Sequence, residues 1–254
     1  MQIRVLGCSG GIGNGRRTTS LLVDEDVLID AGTGVADLRL DEMRKIEYIF
    51  LTHSHLDHIA SIPLLLDSVF SKVSRPITLY GRSETLRALR EHIFNGVIWP
   101  DFARLPNPER PVLHYAVMEP GEILDIRGRT FELIPVNHVV PGAGYRVACP
   151  TGAFAFTGDT TSNDSFWATL NRYPELDLLF VEAAFADHDL NLSRAAYHYC
   201  PSLLAADLAK LRLRPAVYLS HLKPGEEETI VAECEALLRG RPVRRLCEGD
   251  VFRL

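Results

Sequence analysis

The sequence predicts a mixed α/β fold, on two observations. Short apolar, β-prone runs such as 48–51 and 178–181 alternate with stretches whose apolar residues recur at helical spacing, such as 59–69. Histidines and carboxylates directly follow several of these runs. The 254 residues, 46% of them hydrophobic, suffice for one large domain or two small ones. Because no linker or low-complexity tract divides the chain, we expect a single domain over residues 1–254.

Composition excludes several classes of protein. The formal net charge of −6 disfavours a general nucleic-acid binder. No apolar run approaches the ~18–20 residues that cross a bilayer, so we expect no membrane partner. The five cysteines are scattered and form no Cys-x-x-Cys pair, which favours free thiols and a cytoplasmic location.

The first two strands are predicted at 3–6 and 20–23, on either side of the glycine-rich loop 7–15. That loop lacks the Gly-Lys-Ser/Thr ending of a nucleotide-binding P-loop, so a flexible surface loop and a rim facing a substrate remain equal alternatives. A third strand, 27–30, ends at Asp30.

The run 48–51 leads into the most informative segment, which holds three histidines and an aspartate within six residues. His53 and His55 are two apart, so in extended backbone both point the same way and can bind one metal ion. Asp57 and His58 follow after the chain turns and can face a second ion. The alternative is a polar turn with solvated histidines, which would not require four ligand-type side chains together.

The segment Thr52-His53-Ser54-His55-Leu56-Asp57-His58 resembles the signature of the metallo-β-lactamase fold superfamily. Its Leu-Asp pair resembles the class II cyclic-nucleotide phosphodiesterases within that superfamily. The resemblance covers nearly the whole chain and implies a four-layer αββα sandwich, whereas periodicity alone indicates only a mixed α/β protein.

The resemblance also implies the remaining metal ligands. Each follows an apolar run: His138 after 130–136, Asp159 after 153–156 and His221 after 216–220. The implied first ion is held by His53, His55 and His138. The implied second ion is held by Asp57, His58 and His221, and Asp159 bridges the two. For Asp30 it implies support of the ligands from behind, with a helix cap or turn aspartate as the equal alternative.

Two further residues are implied to act in catalysis together with Asp57. His198 begins a His-x-x-Pro pattern that the phosphodiesterases share, and it would act as the general acid. Glu182, at the end of the run 178–181, would orient His198. Asp57 would also orient the attacking hydroxide. His188 lacks such surroundings and is interpreted as a loop residue, and Cys200 as a small buried hydrophobe.

The resulting hypothesis is hydrolysis of a small anionic phosphodiester, with 3′,5′-cyclic AMP first, by a hydroxide that two divalent ions activate. Zinc suits imidazole and carboxylate ligands, and manganese or iron are alternatives. A tRNA 3′-processing endonuclease and a non-enzymatic metal-bound scaffold are the alternative functions. The proline-rich loop 95–111 would form a lid or the contact of a homodimer.

Overall fold

A computed structural model describes residues 1–72 and 75–254 of the chain. The strands within these residues are β1 (Gln2–Gly7), β2 (Ser20–Val23), β3 (Val27–Ile29), β4 (Tyr48–Phe50), β5 (Ile77–Gly81), β6 (Leu113–Val117), β7 (Ile123–Ile126), β8 (Arg129–Val136), β9 (Gly142–Cys149), β10 (Gly152–Phe156), β11 (Leu178–Glu182), β12 (Ala216–Ser220), β13 (Val243–Arg245) and β14 (Val251–Arg253). The helices are α1 (Leu40–Met43), α2 (Leu56–Ile59), α3 (Ile62–Val69), α4 (Ser83–His92), α5 (Ser165–Leu170), α6 (Leu190–Ala196), α7 (Pro201–Leu208) and α8 (Glu227–Leu237). Short 3-10 turns occupy Thr33–Asp37 and Asp187–Asp189.

The strands form two mixed sheets. The first has the order β14-β1-β2-β3-β4-β5-β6 and the second the order β13-β12-β11-β10-β9-β8-β7. Strands β3 to β6 run parallel to one another, as do β10 to β13. Because parallel strands share an edge for their carboxyl ends, residues that follow them are brought together there.

Three apolar layers hold the sheets and helices in a four-layer sandwich. Between the sheets, the rings of Phe50 on β4 and Phe131 on β8 stack with centroids 4.3 Å apart. Outside the first sheet lie α3 and α4, and outside the second lie α5, α7 and α8. The four-layer αββα arrangement expected from the resemblance is confirmed.

Helix α3 shows how the local sequence produces this layering. Its buried residues are Ile62, Leu65, Leu66 and Val69. They recur at positions i, i+3, i+4 and i+7 and therefore form one apolar face, which packs against the first sheet. Pro63 lies in the first turn, where its missing N–H removes no helical hydrogen bond.

The bounds of some strands differ slightly from those expected. The strand expected at 3–6 extends over Gln2–Gly7, and the one expected at 27–30 ends at Ile29, one residue before Asp30. Helix α4 begins at Ser83, with Arg82 at the cap position in extended backbone. None of the helices in the described ranges combines the length and apolar character needed to cross a membrane.

Candidate metal centre

The predicted site residues meet at the carboxyl edge of the two sheets. His53 follows β4 in the first sheet, while Asp159 and His221 follow β10 and β12 in the second. His138 follows β8, which runs in the same direction as β10 because each pairs antiparallel with β9. The strand directions alone thus bring ligand-type side chains from distant parts of the chain to one edge.

Seven side chains of metal-ligand type form two groups that share one carboxylate. Within each group the ligand atoms all lie within 4.8 Å of one another. The first group is His53, His55, His138 and Asp159, and the second is Asp57, His58, Asp159 and His221. The structure therefore brings together every residue for which the sequence predicted metal binding, in the two predicted sets.

Asp159 lies between the groups and is buried. Its Oδ2 is 3.7 Å from His53 Nε2 and 3.2 Å from His58 Nε2. Its Oδ1 is 3.0 Å from His221 Nδ1. A carboxylate with one oxygen toward each side can contribute to two ion sites at once.

Buried atoms without a hydrogen-bond partner are concentrated in these groups. Among the described residues, His53 Nε2, His58 Nε2, Asp159 Oδ1 and His221 Nδ1 are all buried, and although they lie close to one another their geometry gives none of them a hydrogen bond. Such atoms are costly unless something satisfies them. Imidazole nitrogens and a carboxylate oxygen are ligands for divalent transition metals, so the donor set fits two such ions.

The other ring nitrogens of His53 and His58 are held by the protein. His58 Nδ1 lies 2.7 Å from Asp30 Oδ2, and His53 Nδ1 lies 3.0 Å from Thr52 Oγ1. Thr52 in turn donates its N–H and its hydroxyl to Asp30, both at 2.8 Å. Asp30 thus fixes the His58 ring so that Nε2 faces the second group, as expected of a residue supporting the ligands from behind.

His138 is held differently, by a backbone carbonyl. Its Nδ1 donates to the oxygen of Tyr197 at 2.9 Å, which leaves Nε2 for the first group, 3.1 Å from His55 Nδ1. The sequence did not predict the role of Tyr197, because every residue type has a backbone carbonyl that can accept a hydrogen bond.

Three non-glycine residues of this edge adopt left-handed backbone. The φ angles are 57° at Asp30, 57° at Tyr197 and 58° at His221. This conformation is uncommon for residues with a Cβ. It tends to occur at functional sites, where surrounding contacts hold the backbone in it. Each of the three either belongs to the two ligand groups or directly holds a member of them.

The glycine-rich loop packs against His221. The backbone N–H of His221 bonds to the Cys8 carbonyl, and Gly10 N–H donates to the Leu222 carbonyl at 3.0 Å. A Cβ on Gly10 would lie 2.5 Å from the His221 oxygen and 2.9 Å from its ring carbon Cδ2. Of the two alternatives for this loop, the structure favours the rim of the site.

Glu182 and His198 form a buried pair beside both groups. His198 Nδ1 donates to Glu182 Oε1 at 2.8 Å. The Glu182 carboxylate also accepts backbone N–H groups from Thr160, Ala184 and Tyr199. The His198 ring centroid is 4.9 Å from that of His138 and 5.2 Å from that of His221. Glu182 is therefore rigidly fixed, and it leaves His198 Nε2 as the nitrogen available to a substrate.

Burial and neighbouring charges set the protonation of these groups. Burial lowers the pKa of His138 to about 4 and that of His221 to about 3, so both are neutral at pH 7, the form that binds metal. Burial would also lower the pKa of His58, but the carboxylates of Asp159 and Asp30 outweigh it and raise that pKa well above its usual value. A positive charge is thus favoured between these two carboxylates.

The pKa values of His198 and Glu182 show the same competition between burial and neighbouring charge. Burial would lower the pKa of His198, but the carboxylate of Glu182, with Asp159 behind it, raises that pKa above its usual value. Burial raises the pKa of Glu182, which the nearby His198 partly offsets. His198 can therefore carry a proton near neutral pH.

Three further polar residues lie outside the two groups. Arg16 and Arg17, which follow the glycine-rich loop, pair with Glu227 and Asp37, respectively. His188 is exposed and faces Asp189.

Comparisons with known proteins agree with this geometry. Residues 25–222 match the family model described as "Beta-lactamase superfamily domain". A probable 3′,5′-cyclic-nucleotide phosphodiesterase from Yersinia pestis is 22% identical over 89% of this chain and 79% of its own length. A ribonuclease Z from Bradyrhizobium diazoefficiens is 24% identical over 90% of this chain and 92% of its own length. The crystal structure of unliganded yeast PDE1 superposes with a TM-score of 0.85 at 17% identity, covering 100% of this chain and 99% of that one.

Proposed function

The chain belongs to the β-lactamase superfamily, and from this premise we propose that it is a metal-dependent phosphodiesterase acting on a small cyclic nucleotide. The observation that carries the proposal is the pair of ligand groups sharing Asp159 with His198 held beside them. That arrangement offers two ion sites and a proton donor within one small space, which are the parts that phosphodiester hydrolysis requires.

The residues present define which side chains would hold the ions. His53, His55 and His138 would hold one ion, Asp57, His58 and His221 the other, and Asp159 would serve both. When bound, the two ions supply an activated water as nucleophile and neutralise the charge that collects on phosphorus. Imidazole and carboxylate suit zinc best, with manganese or iron as alternatives.

The chain's own side chains would complete the reaction. Asp57, whose side chain is 32% exposed, would accept a hydrogen bond from the attacking water and fix its direction. The new bond joins the water oxygen to phosphorus, and the bond from phosphorus to the 3′ oxygen breaks. His198 Nε2 would give its proton to that departing oxygen, while Glu182 holds the ring and stabilises its positive charge beforehand.

A small substrate fits the charge of the molecule better than a long nucleic acid does. The formal net charge is −6, and a polyanion is bound mainly through many basic contacts to its phosphates. A cyclic nucleotide carries one negative phosphate, which two cations can neutralise without a basic surface. The cyclic-nucleotide phosphodiesterase among the relatives supports this choice, so 3′,5′-cyclic AMP is the substrate proposed first.

The second candidate is endonucleolytic trimming of tRNA, because a ribonuclease Z aligns with nearly all of the chain. One assay separates the two candidates. Cyclic AMP, cyclic GMP, a precursor tRNA and an aryl phosphodiester are offered to the metal-loaded protein, and product formation is followed for each. We expect turnover of a cyclic nucleotide and of the aryl ester. Cleavage of the tRNA with both cyclic nucleotides intact would establish the endonuclease instead, and ion binding without any turnover would indicate a scaffold.

A further inference from the structure

A short arginine pattern occurs twice in the second half of the chain. The sequences are Leu-Arg-Leu-Arg-Pro at 211–215 and Leu-Arg-Gly-Arg-Pro at 238–242. The first lies between α7 and β12, and the second lies between α8 and β13. Each pattern thus follows the carboxyl end of a helix and leads into a strand of the second sheet.

The sheet brings the two patterns side by side. Strands β12 and β13 are parallel neighbours, with Val217 opposite Val243. Their amino ends therefore lie at one edge, opposite the edge where β12 delivers His221. The seven steps along the chain from Arg214 to His221 separate the two edges by roughly 20 Å, at about 3.3 Å per extended residue.

A cavity of about 450 Å³ opens between the two patterns. Four guanidinium side chains line it, together with apolar residues such as Leu208 and Leu238. The four are Arg212, Arg214, Arg239 and Arg241. Four positive charges around one concave space are unexpected in a chain with a net charge of −6.

No carboxylate in the described part of the chain pairs with any of these four arginines, although the neighbouring Lys210 is paired. Its ammonium contacts Asp207 at 2.8 Å. No carboxylate among the described residues lines the cavity itself.

The helix ends account for only part of the cluster. Basic side chains are favoured at the carboxyl ends of helices, where carbonyls lack partners. Accordingly, Arg241 Nη2 donates to the Leu211 carbonyl at 2.8 Å, and Arg239 Nε donates to that of Ala236 at 3.2 Å. Arg212 Nη2 donates to the carbonyl of Asn171, at the end of α5, at 2.7 Å. However, Arg241 Nη1 is buried and has no partner among the described residues. Burial, and then the charge of Arg214, lower the pKa of Arg241. No carboxylate among the residues that line the cavity balances these positive charges.

We propose that this cavity binds an oligophosphate, a ligand carrying two or more linked phosphates, at a site separate from the metal centre. Guanidinium groups bind phosphate oxygens in bidentate fashion, and four of them exceed what a single phosphate needs. The volume is within the range of small-ligand pockets, and the leucine side chains can pack against a nucleoside if the ligand has one. The concave shape favours a compact ligand over the extended backbone of an RNA.

The test measures binding of four ligands to the intact protein by titration calorimetry: ATP, inorganic tripolyphosphate, inorganic phosphate and a short RNA. The variant is Arg214→Gln/Arg239→Gln, which leaves the Arg241 contact with Leu211 in place. The matched control is Arg244→Gln, because Arg244 is an exposed arginine on β13 outside the cavity. Thermal unfolding and hydrolysis of the aryl phosphodiester verify that both variants keep their fold and basal activity.

We expect tripolyphosphate to bind more tightly than single phosphate, with affinity decreasing as salt increases. The double variant should lose about tenfold in affinity for each guanidinium removed, and the control should bind as the unchanged protein does. Tighter binding of ATP than of tripolyphosphate would identify a nucleoside polyphosphate as the ligand. Equal binding by the double variant would place the ligand elsewhere, such as the metal centre, and overturn the proposal. Absence of binding, or arginine-dependent binding of RNA alone, would also overturn it.

Discussion

Asp159 is the residue on which both ligand groups depend. It belongs to each group: its Oδ2 lies 3.7 Å from His53 Nε2 of the first group, and its Oδ1 lies 3.0 Å from His221 Nδ1 of the second. A carboxylate shared in this way couples the two ion sites, because neither is complete without it. The remaining ligands of each group are separate, so replacing any one of them should affect mainly one site.

Replacing Asp159 with alanine is therefore expected to weaken both sites together. Elemental analysis after dialysis against a weak chelator should show loss of both ions, whereas His55→Ala should lose mainly one. Asp164→Ala is the control, since Asp164 is exposed and pairs with Lys210 away from the site. Full retention of two ions and of activity by Asp159→Ala would contradict its role between the sites.

His198 is proposed to act on the leaving group and not on the ions. His198→Ala should keep its metal but lose roughly 10²–10⁴-fold in turnover of cyclic AMP, which is the rate enhancement that a general acid usually contributes. An aryl phosphodiester, whose leaving group needs no proton, should lose far less. His188→Ala, which removes an exposed histidine, is the matched control. Equal losses of turnover on both substrates would show that His198 does not protonate the leaving group.

At the scale of elements, the glycine-rich loop holds the segment that follows β12. Gly10 contacts His221 so closely that a Cβ would lie 2.5 Å from its carbonyl oxygen. The Lys223 ammonium also donates to the Gly10 carbonyl at 2.7 Å, so the two segments are joined at the histidine and directly after it. The φ of 58° at His221 is maintained by this packing.

The Gly10→Ala variant should therefore displace His221 and weaken one ion site while sparing the other. The expected loss of metal affinity is on the order of 10- to 100-fold, as for other groups that hold ligands in place. Gly11→Ala is the control, because a Cβ there meets only the Pro224 ring, at 3.2 Å. Calorimetric titration of metal-depleted protein measures both affinities. Unchanged affinities in Gly10→Ala would show that the loop does not position His221.

The elements also show how far sequence could predict the site. The segment from His53 to His58 was recognisable because four ligand-type side chains follow one apolar run. The roles of the Tyr197 carbonyl and of Gly10 were not recognisable from the sequence, since each depends on backbone that approaches from a distant part of the chain. The arginine cavity was missed for the same reason: its two patterns meet only because β12 and β13 are parallel neighbours.

At the scale of the whole molecule, strand direction determines where function is located. Parallel strands in both sheets place their carboxyl ends at one edge, where the seven ligand-type side chains meet. The fold was predictable from the motif because the resemblance covers nearly all of the chain. A single domain, a cytoplasmic location, a homodimer and a lid at 95–111 stay predictions.

The acidic character of the molecule predicts a weak response to salt. Hydrolysis of cyclic AMP should change by no more than about twofold in kcat/KM between roughly 50 and 200 mM salt, because one phosphate makes few ionic contacts. Binding of a tRNA through many phosphates would weaken by roughly 10³-fold or more over the same range. Steady-state kinetics at several salt concentrations measure this. A steep decrease of kcat/KM for cyclic AMP with increasing salt would contradict this and indicate that a basic surface of the protein binds the substrate.

The most direct test of the central claim is the rate of cyclic AMP hydrolysis measured as zinc is added to metal-depleted protein. The two ligand groups share Asp159, so the site is complete only when both ions are present. The rate should therefore remain low at one equivalent and reach its plateau at about two. Full activity without metal, a plateau at one equivalent, or two bound ions with no turnover of cyclic AMP would each contradict the account.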